Sequence, residues 1–196
     1  MSKDDFEYHA HAAGASSNMA AEGSGLFVEG VFVPADTAAV LSETACAFAV
    51  RLIRMALEED GPDLTSLGIF PAEEESFAYI VAKQRTLVVG LPLISLVLAV
   101  TGMSPDSWHA EVKEGALVEN GTVVARLHGR TVQLLKAERI ILNLMTHLSG
   151  VADLTREYVQ RLEGTGVRLL DTRKTLPGHR YLEKYAVRVA GGCNHR

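Results

Sequence analysis

The residue types best suited to chemistry gather near the C-terminal end of the sequence. Asp171-Thr172-Arg173-Lys174-Thr175 directly follows an apolar segment, Val167 to Leu170. In parallel α/β architectures the residues just beyond strand C-termini line the ligand crevice. Two cations in that place suit an anion: arginine offers a planar fork to a carboxylate or phosphate, lysine a compact charge, and the Thr172 and Thr175 hydroxyls serve the remaining lone pairs. A structural salt-bridge cluster is the competing reading. Asn194-His195-Arg196 follows Gly191-Gly192, and a His-Arg pair can also donate to an anion, with glycines allowing close backbone approach. A third set, Arg139, Asn143 and His147, recurs at i, i+4 and i+8 among Ile140, Ile141, Leu144, Met145 and Leu148, so it forms a polar stripe on an apolar helix. Solvent exposure is the first explanation of that stripe; a subunit contact and the wall of an anion site are the others. Lys184 and Arg188, four apart on one helix, read as a solvated face.

Charge is distributed unevenly. The 196-residue chain carries a formal charge of −5, yet residues 168–196 hold seven basic side chains against two acidic ones. An acidic protein with one basic segment suits a small anion better than a polyelectrolyte surface, so no nucleic-acid partner is expected. Hydrophobic residues at 47% and charged residues at 22% exclude disordered, collagen-like and coiled-coil classes. Cys46 and Cys193 match neither a paired zinc spacing nor a secreted disulfide framework and are read as reduced, in a cytoplasmic protein. No basic flank leads into an apolar run at the N-terminus, and the longest apolar stretch, Leu87 to Val100, is broken by Gly90, Pro92 and Ser95, so neither export nor a membrane is expected.

These groups need elements to position them. Residues 1–24 lack periodicity and read as a disordered tail, whose His9 and His11 are taken as solvated rather than as metal ligands. One helix is predicted from Asp36, its N-cap, to the stop at Gly61-Pro62. Strands are predicted over 76–83 and 86–89, and an apolar helix over 91–100 entered through Pro92. Short strands follow over 108–113, 117–118, 122–127 and 131–135, resembling the hammerhead sheets of biotinyl and lipoyl carriers but with no lysine at the hairpin tip Glu119-Asn120-Gly121. A long helix is expected from Lys136 to Leu162, broken near Gly150, then a strand over 167–170 and a helix over 180–189, the start of an α/β unit.

Glu138-Arg139 with Leu142-Asn143, His147-Leu148-Ser149-Gly150, Asp171-Thr172-Arg173-Lys174-Thr175 with Pro177-Gly178, Leu182-Glu183-Lys184-Tyr185-Ala186-Val187, and Gly191-Gly192 with Asn194-His195-Arg196 together resemble quinolinate phosphoribosyltransferase in kind, order and spacing. Glu59-Asp60-Gly61-Pro62-Asp63-Leu64-Thr65 and Gly90-Leu91-Pro92 extend the resemblance, which runs from about residue 26 to the end. It implies an α/β class: an α+β sandwich domain over 25–135, then the beginning of an incomplete α/β barrel over 136–196 that is cut after Arg196. It also implies a homodimer or higher homo-oligomer in which one subunit helps close the other's site. The reaction implied joins quinolinate to phosphoribosyl pyrophosphate with magnesium, giving nicotinate mononucleotide, pyrophosphate and carbon dioxide in NAD biosynthesis. By resemblance, Arg139, Thr172, Arg173, His195 and Arg196 surround quinolinate and Lys174 meets phosphoribosyl pyrophosphate. No protein nucleophile and no resident metal site is assigned.

Two positions depart from the family pattern. His179 stands where an apolar residue is usual, and Cys193 lies inside the glycine-rich loop; with no acid partner following it, Cys193 is not read as a nucleophile. The family continues past the His-Arg pair through strands bearing a lysine and acidic residues, so the 196-residue chain alone is expected to show little or no turnover. Two further readings fit the same residues: a paralogous phosphoribosyltransferase with another acceptor, and a non-catalytic module for anion binding or dimerisation.

Overall fold

The computed structural model describes residues 6–12 and 24–195, the first stretch by its backbone alone. Its central layer is a four-stranded antiparallel sheet of order β1-β4-β8-β6, formed by β1 (Phe6–Ala12), β4 (Glu75–Ala82), β8 (Val123–Arg130) and β6 (Trp108–Ala110). Alternation along β4 sets its inner face: Ala78, Ile80 and Ala82 are buried while Phe77 is exposed. The ladder with β8 shifts between Ile80 and Val81, leaving Val124 unpaired with β4. The Val124 carbonyl accepts instead from the Glu111 amide at 2.9 Å, which is how this bulge keeps two consecutive residues, Val124 and Ala125, buried. Two further antiparallel sheets have two strands each, the hairpin β2 (Gly25–Val28) with β3 (Val31–Pro34), and β5 (Thr86–Leu87) with β7 (Leu117–Val118).

β1 lies within the stretch expected to be a tail, which is corrected for residues 6–12. They pair antiparallel with β4 from Phe6 opposite Ala82 to Ala12 opposite Ser76. The other edge of β4 is taken by β8, so β1 satisfies ladder groups that would otherwise lie open, a long-range pairing with no local periodicity to announce it. Residues 1–5 and 13–23 of the expected tail lie outside the described residues.

Helices cover the sheet. The expected single helix from Asp36 is two, α1 (Ala35–Val40) and α2 (Glu43–Asp60), because Leu41 turns extended and Ser42 caps α2 by accepting from Ala45 N at 3.2 Å. Asp36 lies in the first turn of α1 rather than at its N-cap. Gly61, at φ 69°, ends α2 as expected, and α3 (Leu64–Ile69) starts from Asp63. Apolar on every side, α4 (Leu91–Val100) is buried along most of its length, as a helix without a polar face must be. Its entry is Gly90 at φ 113°, where a Cβ would meet Met145 Cγ at 3.3 Å.

The largest difference from the sequence reading is α5 (Thr131–Leu162), 32 residues without a break. Residues 131–135 are its first turn and not a strand, because the Thr131 amide donates to Glu74 O at 2.8 Å and its hydroxyl meets Ser76 Oγ at 2.6 Å, fixing the exit from β8. Gly150 does not interrupt it. Leu134, Ile141, Met145, Leu148 and Ala152 keep one apolar stripe in register on both sides of the glycine, and packing outweighs the ~1 kcal/mol that an interior glycine costs. Helix α6 (Arg180–Val189) packs on α5 through Leu182, Tyr185 and Ala186. Among the described residues no helix is long and apolar enough to cross a membrane.

Glu114 joins the sandwich layer to α6. Its carboxylate accepts from Gly90 N at 2.8 Å and Leu91 N at 2.9 Å, the unpaired donors at the start of α4, and from Tyr185 Oη at 2.8 Å. Burial pushes the Glu114 pKa above the ordinary carboxylate range, against the pull of its three donors. Burial and the neighbouring Glu114 push the Tyr185 phenol up as well. Replacing Glu114 by alanine strands those donors and is expected to cost about 2–4 kcal/mol, a fall in Tm of roughly 5–12 °C by calorimetry. A raised carboxyl pKa gives stability that is full at acidic pH and lost as pH rises through the folded value. The stability of the parent protein relative to E114Q should therefore fall as pH rises above the ordinary carboxylate range, read from thermal melts at a series of pH values.

Candidate anion site and family

The expected strand over 167–170 is reduced to a single parallel bridge, Leu170 to Cys193. Val167 and Leu170 are exposed, since only one neighbour pairs with this segment among the described residues. That one bridge nevertheless sets the site. Cys193 N donates to Leu169 O at 2.8 Å and Asp171 N to Cys193 O at 3.0 Å. His195 N also donates to Asp171 Oδ1 at 2.8 Å, so the two segments singled out in the sequence meet at Asp171.

Thr172, Arg173, Lys174 and His195 are all exposed. The Thr172 hydroxyl accepts from Lys174 N at 3.1 Å, a short side-chain turn that directs the chain after Asp171. Arg173 and Lys174 have no acidic side-chain partner among the described residues, which disfavours the salt-bridge alternative for this pair. Arg196 lies outside the described residues. A groove of about 460 Å³ adjoins the site. Its walls are apolar, from Val151, Leu154 and Tyr158 on α5, and its rim carries Thr172, Thr175 and Glu183.

Asp171 and Lys184 form an ion pair that the sequence reading missed. Their side chains are 4% and 17% exposed, so Lys184 is not part of a solvated helix face, and that expectation is corrected. The partners are 13 residues apart on different elements, a spacing with no local periodic signal. Arg188 does keep the expected surface place, its guanidinium 5.9 Å from the Tyr185 ring.

The stripe on α5 divides between two neighbourhoods. His147 Nε2 pairs with Glu183 Oε1 at 3.0 Å, and its ring meets that of His179 edge-on at 5.4 Å. His179, the departure from the family pattern, thus occupies the α6 N-cap beside α5. Arg139 lies elsewhere. Its Nη1 donates to Asp60 Oδ1 at 2.7 Å in a second hollow shared with Asp63, Glu138 and Asn143, and its side chain is 69% exposed. The Ser66 hydroxyl and amide hold the Asp63 carboxyl below its ordinary range, and Arg139 adds to this; burial pushes Glu138 up. Sixteen residues separate Arg139 from Thr155, which lines the groove beside Thr172, a rise of about 24 Å along α5. Within one chain, the hollow that Arg139 lines shares no residue with the groove beside Thr172.

Comparison with known proteins identifies the family. Residues 63–149 match the family model for the quinolinate phosphoribosyl transferase N-terminal domain, and residues 151–196 match that for its C-terminal domain. The chain belongs to the quinolinate phosphoribosyltransferase family. A probable nicotinate-nucleotide pyrophosphorylase (carboxylating) of Bacillus subtilis is 44% identical over 141 residues, 71% of this chain and 48% of the relative. The nicotinate-nucleotide pyrophosphorylase (carboxylating) of Mycobacterium leprae is 38% identical over 161 residues, 80% of this chain and 57% of the relative. Among solved structures, the nicotinate-nucleotide pyrophosphorylase of Francisella tularensis superposes with a TM-score of 0.70 at 30% identity, covering 77% of this chain and 54% of that one. The chain spans about half the length of the relatives it matches. The two family matches meet at residues 149–151, inside α5, so one helix carries both parts.

Gly192 is the tightest point behind the His195 loop. A Cβ there would lie 2.7 Å from Val187 Cγ1, 3.1 Å from Val187 O and 3.2 Å from Thr155 Cγ2. G192A is expected to cost about 1–3 kcal/mol through this overpacking. Chemical shifts should move at Asn194 and His195 and stay unchanged at β4, which a comparison of amide NMR spectra reads directly.

Proposed function

We propose that the whole protein containing this chain transfers the phosphoribosyl group of phosphoribosyl pyrophosphate to quinolinate, with decarboxylation. The observation that supports this is the Leu170–Cys193 bridge, which brings the segment leading into Thr172, Arg173 and Lys174 alongside the one leading into His195, with Thr172 and Thr175 lining an apolar groove. Quinolinate is a planar dicarboxylate: Arg173, His195 and Thr172 suit its carboxylates, the groove suits its ring, and Lys174 suits a phosphate. The names of the relatives support the same reaction.

In this reading the residues bind and orient more than they react. The ring nitrogen bonds to the ribose anomeric carbon as pyrophosphate leaves with the bonding pair, and fixed cations stabilise the growing negative charge. The ribosylated ring is then a pyridinium that accepts the electron pair released when the adjacent carboxylate departs as carbon dioxide, and the ring carbon takes up a proton. Among the described residues no group of three or more His, Cys, Asp or Glu side chains could hold a metal ion. In this reading magnesium arrives with phosphoribosyl pyrophosphate, held by its phosphate oxygens as part of the substrate.

Arg139 fits this site from a second subunit. It is exposed and remote from Arg173 in its own chain, and an isologous dimer would present it to the partner. The free cysteines, Cys46 buried and Cys193 half-buried, are in keeping with a cytoplasmic setting.

The deciding assay is nicotinate mononucleotide formation by the full-length protein; an enzyme inert with quinolinate but active on another acceptor overturns the substrate. R173A and K174A should each lose about 10²-fold or more in kcat/KM. Mixing inactive R139A and R173A subunits should restore about one quarter of parental activity, since half the dimers then hold one intact site. No recovery in mixed dimers shown to form would place Arg139 outside the partner's site.

A further inference from the structure

Asp171 is a buried acid immediately next to two cations that the proposed site needs for its ligand. An unneutralised carboxylate there would compete with the substrate for Arg173 and Lys174. The structure occupies it twice over. Asp171 Oδ2 is paired with Lys184 Nζ, and Oδ1 accepts from His195 N at 2.8 Å. Lys184 Nζ also reaches His195 O at 3.4 Å. With its amide nitrogen turned inward, Asn194 donates to Asp171 Oδ2 and to Lys184 O, each at 3.0 Å. The nearby acid on the same helix, Glu183, is taken up by His147.

We infer that Asp171 and Lys184 are positioning residues for the anion site: Asp171 fixes the His195 backbone against the Thr172 strand end, and Lys184 neutralises Asp171 so that Arg173 and Lys174 stay available to the ligand. The inference rests on the proposed quinolinate reaction for its ligand, and on the geometry alone for the clasp. It separates two jobs that a generic buried ion pair would not separate. The acceptor oxygen of Asp171 holds the loop, and the charge of Lys184 protects the ligand cations.

The test uses full-length protein, quinolinate titrated by calorimetry, and hydrogen exchange at the His195 amide. K184M leaves the Asp171 charge unneutralised in the segment that carries Arg173 and Lys174 and should weaken quinolinate binding about tenfold or more. The double variant D171N/K184M removes both charges, keeps an acceptor for His195 N, and should recover to within about threefold of the parent. A pair with only a structural role predicts the double variant to be no better than the single. K184M binding within twofold of the parent, or a double variant as weak as K184M, overturns the inference. If the parent protein does not bind quinolinate, the functional reading fails, and exchange alone judges the clasp. His195 protection should then fall about tenfold in D171A and persist in D171N. Unchanged protection in D171A, or its loss in D171N, contradicts the clasp. Should D171A fail to fold, D171N is compared with the parent alone: retained protection supports the clasp and lost protection overturns it.

Discussion

Two segments far from each other's neighbours in sequence, one ending at Asp171 and the other at Cys193, are held parallel by a bridge between Leu170 and Cys193 and by the Asp171 carboxylate. The rest of the site depends on that register. A one-residue slip in either segment would turn its side chains to the other face, parting Thr172 from His195 and leaving cations without a common ligand. The contact is small, a few hydrogen bonds and one ion pair, and its surroundings give it effect: α6 closes over Asp171 with Lys184, and Gly192 lets the return segment lie against Val187 and Thr155.

The two parts that the family models match are tied together by one helix and two acids. Helix α5 runs through both, and the Glu114 carboxylate spans the start of α4 and Tyr185 on α6. Asp153 adds a parallel tie, accepting from Thr86 Oγ1 at 2.6 Å and Leu87 N at 2.7 Å. Each joint uses an acid on one element to satisfy backbone or hydroxyl donors on another, so the joints carry direction as well as adhesion. A site whose parts come from α5, α6 and two strand ends needs such directional contacts, because hydrophobic packing alone would allow these elements to slide.

How much of this was legible in the sequence depended on the range of the interaction responsible. Helices α4 and α6 and the stop at Gly61 follow from local rules, periodicity, proline entry and glycine exit, and the structure has them where the sequence puts them. The segments carrying Thr172, Arg173, Lys174 and His195 stood out because cations and hydroxyls cluster directly after an apolar run and after a glycine pair. Longer-range effects were not. Thr131 to Leu135 has the β-branched start of a strand, yet Glu74 and Ser76 fix it as a helix turn. The break at Ser42 and the pairing of β1 with β4 likewise arise from partners distant in sequence. Lys184 looked like surface charge because its partner is 13 residues away across a turn, and the separation of Arg139 from Arg173 is visible only once α5 is known to be unbroken.

That separation makes the account sharply testable by one structure. A crystal structure of the full-length protein with quinolinate bound should show the dicarboxylate against Thr172, Arg173 and His195, with an Arg139 guanidinium reaching it from a second copy of the chain. Quinolinate bound away from the Thr172 and His195 strand ends, or contacted there by Arg139 of the same chain, would contradict it.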